Sequence, residues 1–298
     1  MQQSPEERAN GGVPTAGGRD AAASAAGSKP ASLRLLSYNI HKGIGGIDRR
    51  YDLGRIADVL ASYAPDIALL QEVDDGVPRS RHDRQAETLS AATGLRHWAY
   101  QRNVSVRDGH YGNAILSRLP LHDVEHVDLT LPLKKRRQAL IARCRSPLGG
   151  ESRTVELVNV HLGLAGFERA IQLRRLLAAP SLARVRPRTP LVIAGDFNDV
   201  WGTLARRIMQ PAGFDQAGGR HRTFPAAAPV RGLDRLFFRG DLRLRHVFVG
   251  HTRVARRASD HLPLVADFWI EHAPADAAEH RGEAAAREFA PCSESETS

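Results

Sequence analysis

An Asp and an Asn stand two residues apart where an apolar run ends, in Leu191-Val192-Ile193-Ala194-Gly195-Asp196-Phe197-Asn198. Side chains two apart on a strand leave the same face. Asp196 and Asn198 can therefore reach one reacting atom or one metal. Other apolar runs end in the same manner. Leu33-Arg34-Leu35-Leu36-Ser37-Tyr38 leads to Asn39, Ile67-Ala68-Leu69-Leu70-Gln71 leads to Glu72, and Val155-Glu156-Leu157-Val158 leads to Asn159 and His161. Asn113, Asp234, Asp260 and His261 complete the set of polar strand ends.

Carboxylates and amides with few imidazole or sulfur groups suit a hard cation, Mg²⁺ or Mn²⁺. Two histidines in acidic company suit proton transfer or charge stabilisation. Hydrolysis of a phosphate ester needs this kit: polarised phosphoryl oxygens, an oriented water and help for the leaving oxygen. Asp234 lies inside an apolar run, where an unpaired carboxylate would be costly. His261 is its natural partner.

Strands must deliver these groups to one edge. About ten apolar or alternating runs read as strands, against three or four helices. Leu53, Ile56, Ala57 and Leu60 recur at helical spacing behind Asp52 as N-cap, and Pro65 closes that helix. Gln85 to Ala92 reads as a short helix. Ala170, Leu173, Leu176 and Leu177 mark another, and a further one is expected from about Trp201 to Met209, capped by Asp199. The strand, helix, strand order around residues 33–72 predicts a buried parallel pair. One sheet cannot hide so many apolar faces. Two packed sheets with helices outside can.

The 298 residues carry a formal net charge of +9. That balance fits a polyanionic partner, such as nucleic acid, anionic lipid headgroups or phosphorylated small molecules. The two cysteines, Cys144 and Cys292, are far apart and form no thiolate cluster for zinc. Residues 1–30 and 272–298 are polar and aperiodic and are expected to be disordered tails around one folded unit, 31–271. No signal-peptide pattern or membrane-length apolar run is present. A cytoplasmic monomer without stable membrane insertion is the expectation.

Seven short motifs in order resemble those of the endonuclease/exonuclease/phosphatase (DNase I-like) superfamily. They are Ser37-Tyr38-Asn39-Ile40, Leu70-Gln71-Glu72-Val73, Gly112-Asn113-Ala114-Ile115, Asn159-Val160-His161-Leu162, Gly195-Asp196-Phe197-Asn198, Leu233-Asp234-Arg235-Leu236 and Ser259-Asp260-His261. The superfamily includes nucleases, sphingomyelinases and inositol-polyphosphate phosphatases. The resemblance implies an α/β (α+β) fold, a four-layer α/β/β/α sandwich of two packed mixed β-sheets flanked by helices. It implies Glu72 as the principal metal ligand, with Asn39 beside it and Asp260 nearby. It further implies Asp196 orienting or deprotonating water, Asn198 holding a phosphate oxygen, and His161 stabilising phosphate charge. His261 would contact the scissile phosphate, with Asp234 fixing its tautomer. Asn113, Asn159 and Arg137 are weaker substrate-binding candidates.

The expected activity is a divalent-metal-dependent phosphodiesterase acting on nucleic acid. The alternative is a hydrolase of phospholipid headgroups or small phosphorylated metabolites. A non-catalytic binding module on the same fold would have no chemical need for all these residues. The loop 41–50, with Val77-Pro78-Arg79-Ser80-Arg81, is the expected recognition element, and Gly43, Gly45 and Gly46 could offer backbone amides to a phosphate. No apolar hairpin points to membrane docking.

Overall fold

A computed structural model describes residues 31–106, 108–148 and 151–271. The two expected tails, and Cys292 with them, lie outside the described residues.

The strands form two six-stranded sheets. The first contains β1 (Ala31–Asn39), β2 (Ile67–Asp75), β3 (His97–Val106), β4 (Gly109–Ser117), β11 (Leu242–Val249) and β12 (Leu264–Ile270), in the order β11-β12-β1-β2-β4-β3. The second contains β5 (Leu121–Asp128), β6 (Gln138–Leu148), β7 (Glu151–His161), β8 (Leu191–Asp196), β9 (Asp215–Gln216) and β10 (Asp234–Arg239), in the order β5-β6-β7-β8-β10-β9. Each sheet has one parallel pair, β1 with β2 and β7 with β8, and is otherwise antiparallel. Helix α1 (Leu53–Tyr63) crosses between β1 and β2, as the strand, helix, strand order requires. Helices α3 (Gly166–Leu177) and α4 (Pro180–Ala183) cross between β7 and β8.

Strand alternation sorts the side chains into three cores. Leu33 and Leu35 of β1 meet Leu157 and Val192 of the other sheet between the two layers. Leu36, Tyr38 and Ile40 turn the other way, against α1 and its Ile56 and Leu60. In the second sheet Val158, Val160 and Ile193 face Leu173 and Leu176 of α3. By the same alternation Asn39, His161, Asp196 and Asp234 inherit the inter-sheet face, at the end where the parallel strands finish. The sandwich core is apolar at depth and polar at this one mouth.

Several elements differ from the sequence reading. Helices α4, α5 (Ala255–Ala258) and the two-residue β9 are too short to show a period. Helix α2 covers Gln85–Thr93. The segment near Trp201 begins its helix at Thr203 and continues as a π-helical stretch over Ala205–Met209. Asp199 caps it, accepting from Leu204 N at 2.9 Å.

Candidate active site

Three adjacent strands set three site residues in one row. His161 on β7 is paired with Asp196 on β8, and Asp196 is paired with Asp234 on β10. Gly195 makes the row tight: its φ is +146°, and a Cβ there would lie 1.9 Å from the Val160 carbonyl oxygen. No other residue type allows β7 and β8 to approach in this manner.

Asp196 is the hub. Its Oδ1 accepts from the backbone N of Asn198 at 2.9 Å, and its Oδ2 accepts from Asn39 Nδ2 at 3.1 Å. The Nε2 atoms of His161 and His261 stand 3.6 and 3.8 Å from the same Oδ2. Asn198 adopts the left-handed conformation, φ 51°, which Asn tolerates. Its Nδ2 donates to Leu162 O at 3.0 Å, stitching the loop after β8 to the end of β7.

His261 enters from the turn before β12. Its Nδ1 is 2.9 Å from Asp234 Oδ2, which also accepts from the Thr223 hydroxyl. Phe224 covers the imidazole, with ring centroids 5.0 Å apart. Burial opposes a charge on His261, but the Asp234 carboxylate outweighs it and holds the imidazole well above the usual histidine range. His161 goes the opposite way. Burial and the Arg137 guanidinium push it down to about 4, against the pull of Asp196. One histidine is thus cationic and the other neutral at physiological pH, and two titratable groups driven apart in this way can take different roles.

Glu72 reaches the mouth through a defect in β2. The register with β4 shifts between Gln71 and Val73, leaving Glu72 as the extra residue of a bulge with φ +58°. Strict alternation would have turned Glu72 toward the helices. The bulge re-aims it, while Val73 takes the helix-facing place. Burial alone would raise its pKa, yet His161, protonated in the acid range where Glu72 titrates, together with Lys42 and His41 holds the carboxyl well below the usual range. Lys42 Nζ is hydrogen-bonded to Glu72 Oε2. Asp260 stands beside His41, its Oδ2 3.8 Å from His41 Nε2. The Ser259 hydroxyl donates to the Asn39 carbonyl at 2.7 Å, tying the Asp260 segment to the end of β1.

Among the described residues no group of three or more His, Cys, Asp or Glu is close enough to enclose a metal by itself. The oxygens present nevertheless fit a hard cation. Glu72 is an ionised carboxylate facing an ammonium group, and Asp260 and the Asn39 amide lie at the same mouth. Mg²⁺ prefers one or two carboxylates and completes its shell with water and phosphate oxygens.

The other candidates separate. Arg137 is buried at the start of β6, and its Nε and Nη1 have no partner. An unpaired buried cation is costly, so an arriving anion would relieve it. Asn159 does not reach the mouth. Its Nδ2 donates to Leu70 O at 2.8 Å and Ala114 O at 2.9 Å, and its Oδ1 accepts from Gln71 Nε2 at 2.8 Å. It bolts the sheets together. Asn113 is also fully buried, with Nδ2 3.4 Å from Gln138 O. Gly43 N and Gly45 N donate to Ile40 O and Arg50 O, so these amides close the loop and are not offered to a ligand. Gly46 packs on Asp260, where a Cβ would lie 2.6 Å from the Asp260 Cα.

Tyr111 and Thr223 carry no signal in the sequence, and Lys42 stands out only as part of the expected recognition loop 41–50. Tyr111 carries Lys135, Lys42 and Arg79 around its ring, at 4.8, 5.5 and 5.6 Å from the centroid. Only the third dimension shows this. The basic loop after Asn39 was the one available signal for Lys42.

Comparison with known proteins places the fold in a family. The model of the endonuclease/exonuclease/phosphatase family matches residues 36–261, and the chain belongs to that family. The Escherichia coli K12 protein YbhP, described as uncharacterized, is 32% identical over 256 residues, covering 80% of this chain and 97% of its own length. An endonuclease/exonuclease/phosphatase from Beutenbergia cavernae superposes with a TM-score of 0.67 at 26% identity, over 82% of this chain and 73% of that one. Danio rerio TDP2, solved with a single-strand DNA product, superposes with a TM-score of 0.58 at 21% identity, over 80% and 98% of the two chains. That last likeness is one of fold.

Proposed function

We propose that the chain is a divalent-metal-dependent phosphodiester hydrolase. The observation that carries this reading is the convergence of a cationic and a neutral histidine on one carboxylate, Asp196, beside an ionised Glu72. Glu72, Asn39 and Asp260 would hold the cation. When bound, it would polarise a phosphoryl oxygen.

The rest follows from the chain's own groups. Asp196 is an acceptor at the centre, placed to orient a water and take its proton as the new oxygen–phosphorus bond forms. His261, kept protonated by Asp234, supplies positive charge to the phosphoryl oxygens, a contribution of the electrostatic kind that dominates phosphoryl transfer. Arg137 adds a second donor. As the bond to the leaving oxygen breaks, that oxygen takes a proton from solvent and Asp196 returns there the proton it received from the water. The net change is one water added across a P–O bond, giving a phosphomonoester and an alcohol.

Two substrate classes carry such a diester. Nucleic acid is supported by the net charge of +9 and by the fold shared with a protein solved with a DNA product. A phospholipid headgroup is supported by the surface around the mouth, described below. The test is a screen of the purified chain with Mg²⁺ and Mn²⁺ on a chromogenic soluble diester, duplex and single-stranded DNA, lipid diesters and inositol phosphates. Asp196→Asn is the blank. Hydrolysis abolished by chelation and by the variant supports the reading, and inertness toward every ester ends it.

A further inference from the structure

Nine large apolar side chains are exposed among the described residues, and they are unevenly placed. Trp98 and Val124 lie on strands away from the mouth. The other seven lie on segments that adjoin site residues in the chain. Ile47 projects from the loop after Asn39 and is 59% exposed. Leu133, fully exposed, tips the loop that ends in Arg137. Leu164 follows His161 by three residues, with Phe167 and Ile171 one and two helical steps beyond. Trp201 follows Asn198 by three residues and is 73% exposed. Val230 is on the turn that begins at Phe224, the residue covering His261. Lys134 Nζ lies 5.5 Å from the Phe167 ring centroid, which joins the Leu133 loop to the start of α3.

Single exposed apolar residues are ordinary, but a gathered set marks an interaction surface. Charge says what kind. Arg49, Arg50, Lys134, Lys135, Arg136 and Arg231 are exposed on the same segments. Segments 45–50, 131–137, 163–171, 199–202 and 222–231 carry no exposed Asp or Glu. Asp48 is paired with Arg55, and Glu168 and Asp199 are buried. The rim is therefore apolar and cationic throughout. A nucleic acid would use aromatic faces for stacking, whereas five of these seven side chains are aliphatic. Aliphatic tips among cations match acyl chains beneath anionic headgroups.

We propose that this rim seats on the surface of an anionic phospholipid bilayer and presents a lipid phosphodiester to the catalytic mouth. The docking stands on the surface alone. The choice of substrate rests on the phosphodiesterase reading above.

The experiment uses the full chain with vesicles of phosphatidylcholine alone or mixed with phosphatidylglycerol, followed by co-sedimentation at rising salt. A triple variant, Leu133→Ser, Phe167→Ser and Trp201→Ser, is compared on the same vesicles and on a soluble chromogenic diester. The expected result is binding that needs the anionic lipid and weakens with salt. The triple variant should bind vesicles at least tenfold more weakly, with an unchanged thermal midpoint and unchanged turnover of the soluble diester. Equal sedimentation with neutral and anionic vesicles overturns the proposal. So does undiminished vesicle binding by the variant, or a tenfold loss confined to a single-stranded oligonucleotide. Absence of hydrolysis by the unaltered chain, with its vesicle binding intact, would sink the enzymatic reading and leave the docking surface standing.

Discussion

Asn39 Nδ2 donates to Asp196 Oδ2 at 3.1 Å, and this hydrogen bond crosses from one β-sheet to the other. Asn39 ends β1 beside Glu72, while Asp196 ends β8 between two histidines. One amide therefore registers the Glu72 side of the mouth against the Asp196 side. Asn39→Ala should lower kcat on a soluble diester by about 10²–10³, the scale seen when one preorganised donor is removed. Cation affinity, read by calorimetry, should weaken as well. Unchanged kcat would remove Asn39 from the machinery.

Arg137 is a buried guanidinium with two unpartnered nitrogens. Arg137→Met should raise the thermal midpoint by about 2–4 °C, because a costly unpaired charge is replaced by a side chain of similar length. KM for the diester should rise about tenfold or more. A variant that melts lower than the parent contradicts the assignment.

Asn159 fills three hydrogen bonds between the sheets. Asn159→Ala should cost about 2–4 kcal/mol, because it strands buried carbonyls and an amide. Turnover per folded molecule should hardly change. Urea unfolding set beside kcat distinguishes this bolt from a catalytic group, for which the two effects would be reversed.

His161 is driven down to about 4 by burial and Arg137, against an ordinary value of 6.5. The native protein therefore binds fewer protons at this site than the unfolded chain between pH 4 and 6.5. The contribution is fully present above pH 6.5 and is lost as pH falls toward 4. In chelator, His161→Gln should flatten the acid limb of the stability profile. Urea midpoints at pH 7.5 and 5 check this, and an equal slope in both proteins refutes it.

Removal of the cation site gives the last test. Glu72→Gln keeps the shape of the bulge residue but removes its charge. It should reduce Mg²⁺ or Mn²⁺ affinity at least tenfold and reduce hydrolysis by several orders of magnitude, since the carboxylate is the ionised hard donor. Full activity in Glu72→Gln would place the cation elsewhere.

Much of this architecture is legible in the chain. Apolar runs that end in Asn39, Glu72, His161 and Asp196 announce strands finishing at a common edge, and the helical spacing of Leu53, Ile56 and Leu60 announces the crossover. A carboxylate inside the apolar run at Asp234 demands a partner, and His261 lies 2.9 Å away. Other parts are not legible. Alternation turns Glu72 to the wrong face, because a bulge leaves no period behind. Asn159 and His161 look equivalent in sequence, yet two residues of strand rise put one at depth and one at the mouth. The apolar rim is the plainest case. Its members come from separate loops and from the start of α3, and only Leu164, Phe167 and Ile171 share a spacing, so the absence of an apolar hairpin says nothing of the surface they form together.

The row His161, Asp196, Asp234 is held by main-chain pairing of three strands, while the rim is carried by loops and the start of α3. On the proposed function, bond-breaking and partner choice are thus encoded in different parts of the chain. A substitution in the rim is therefore expected to change the partner while leaving the catalytic row in place.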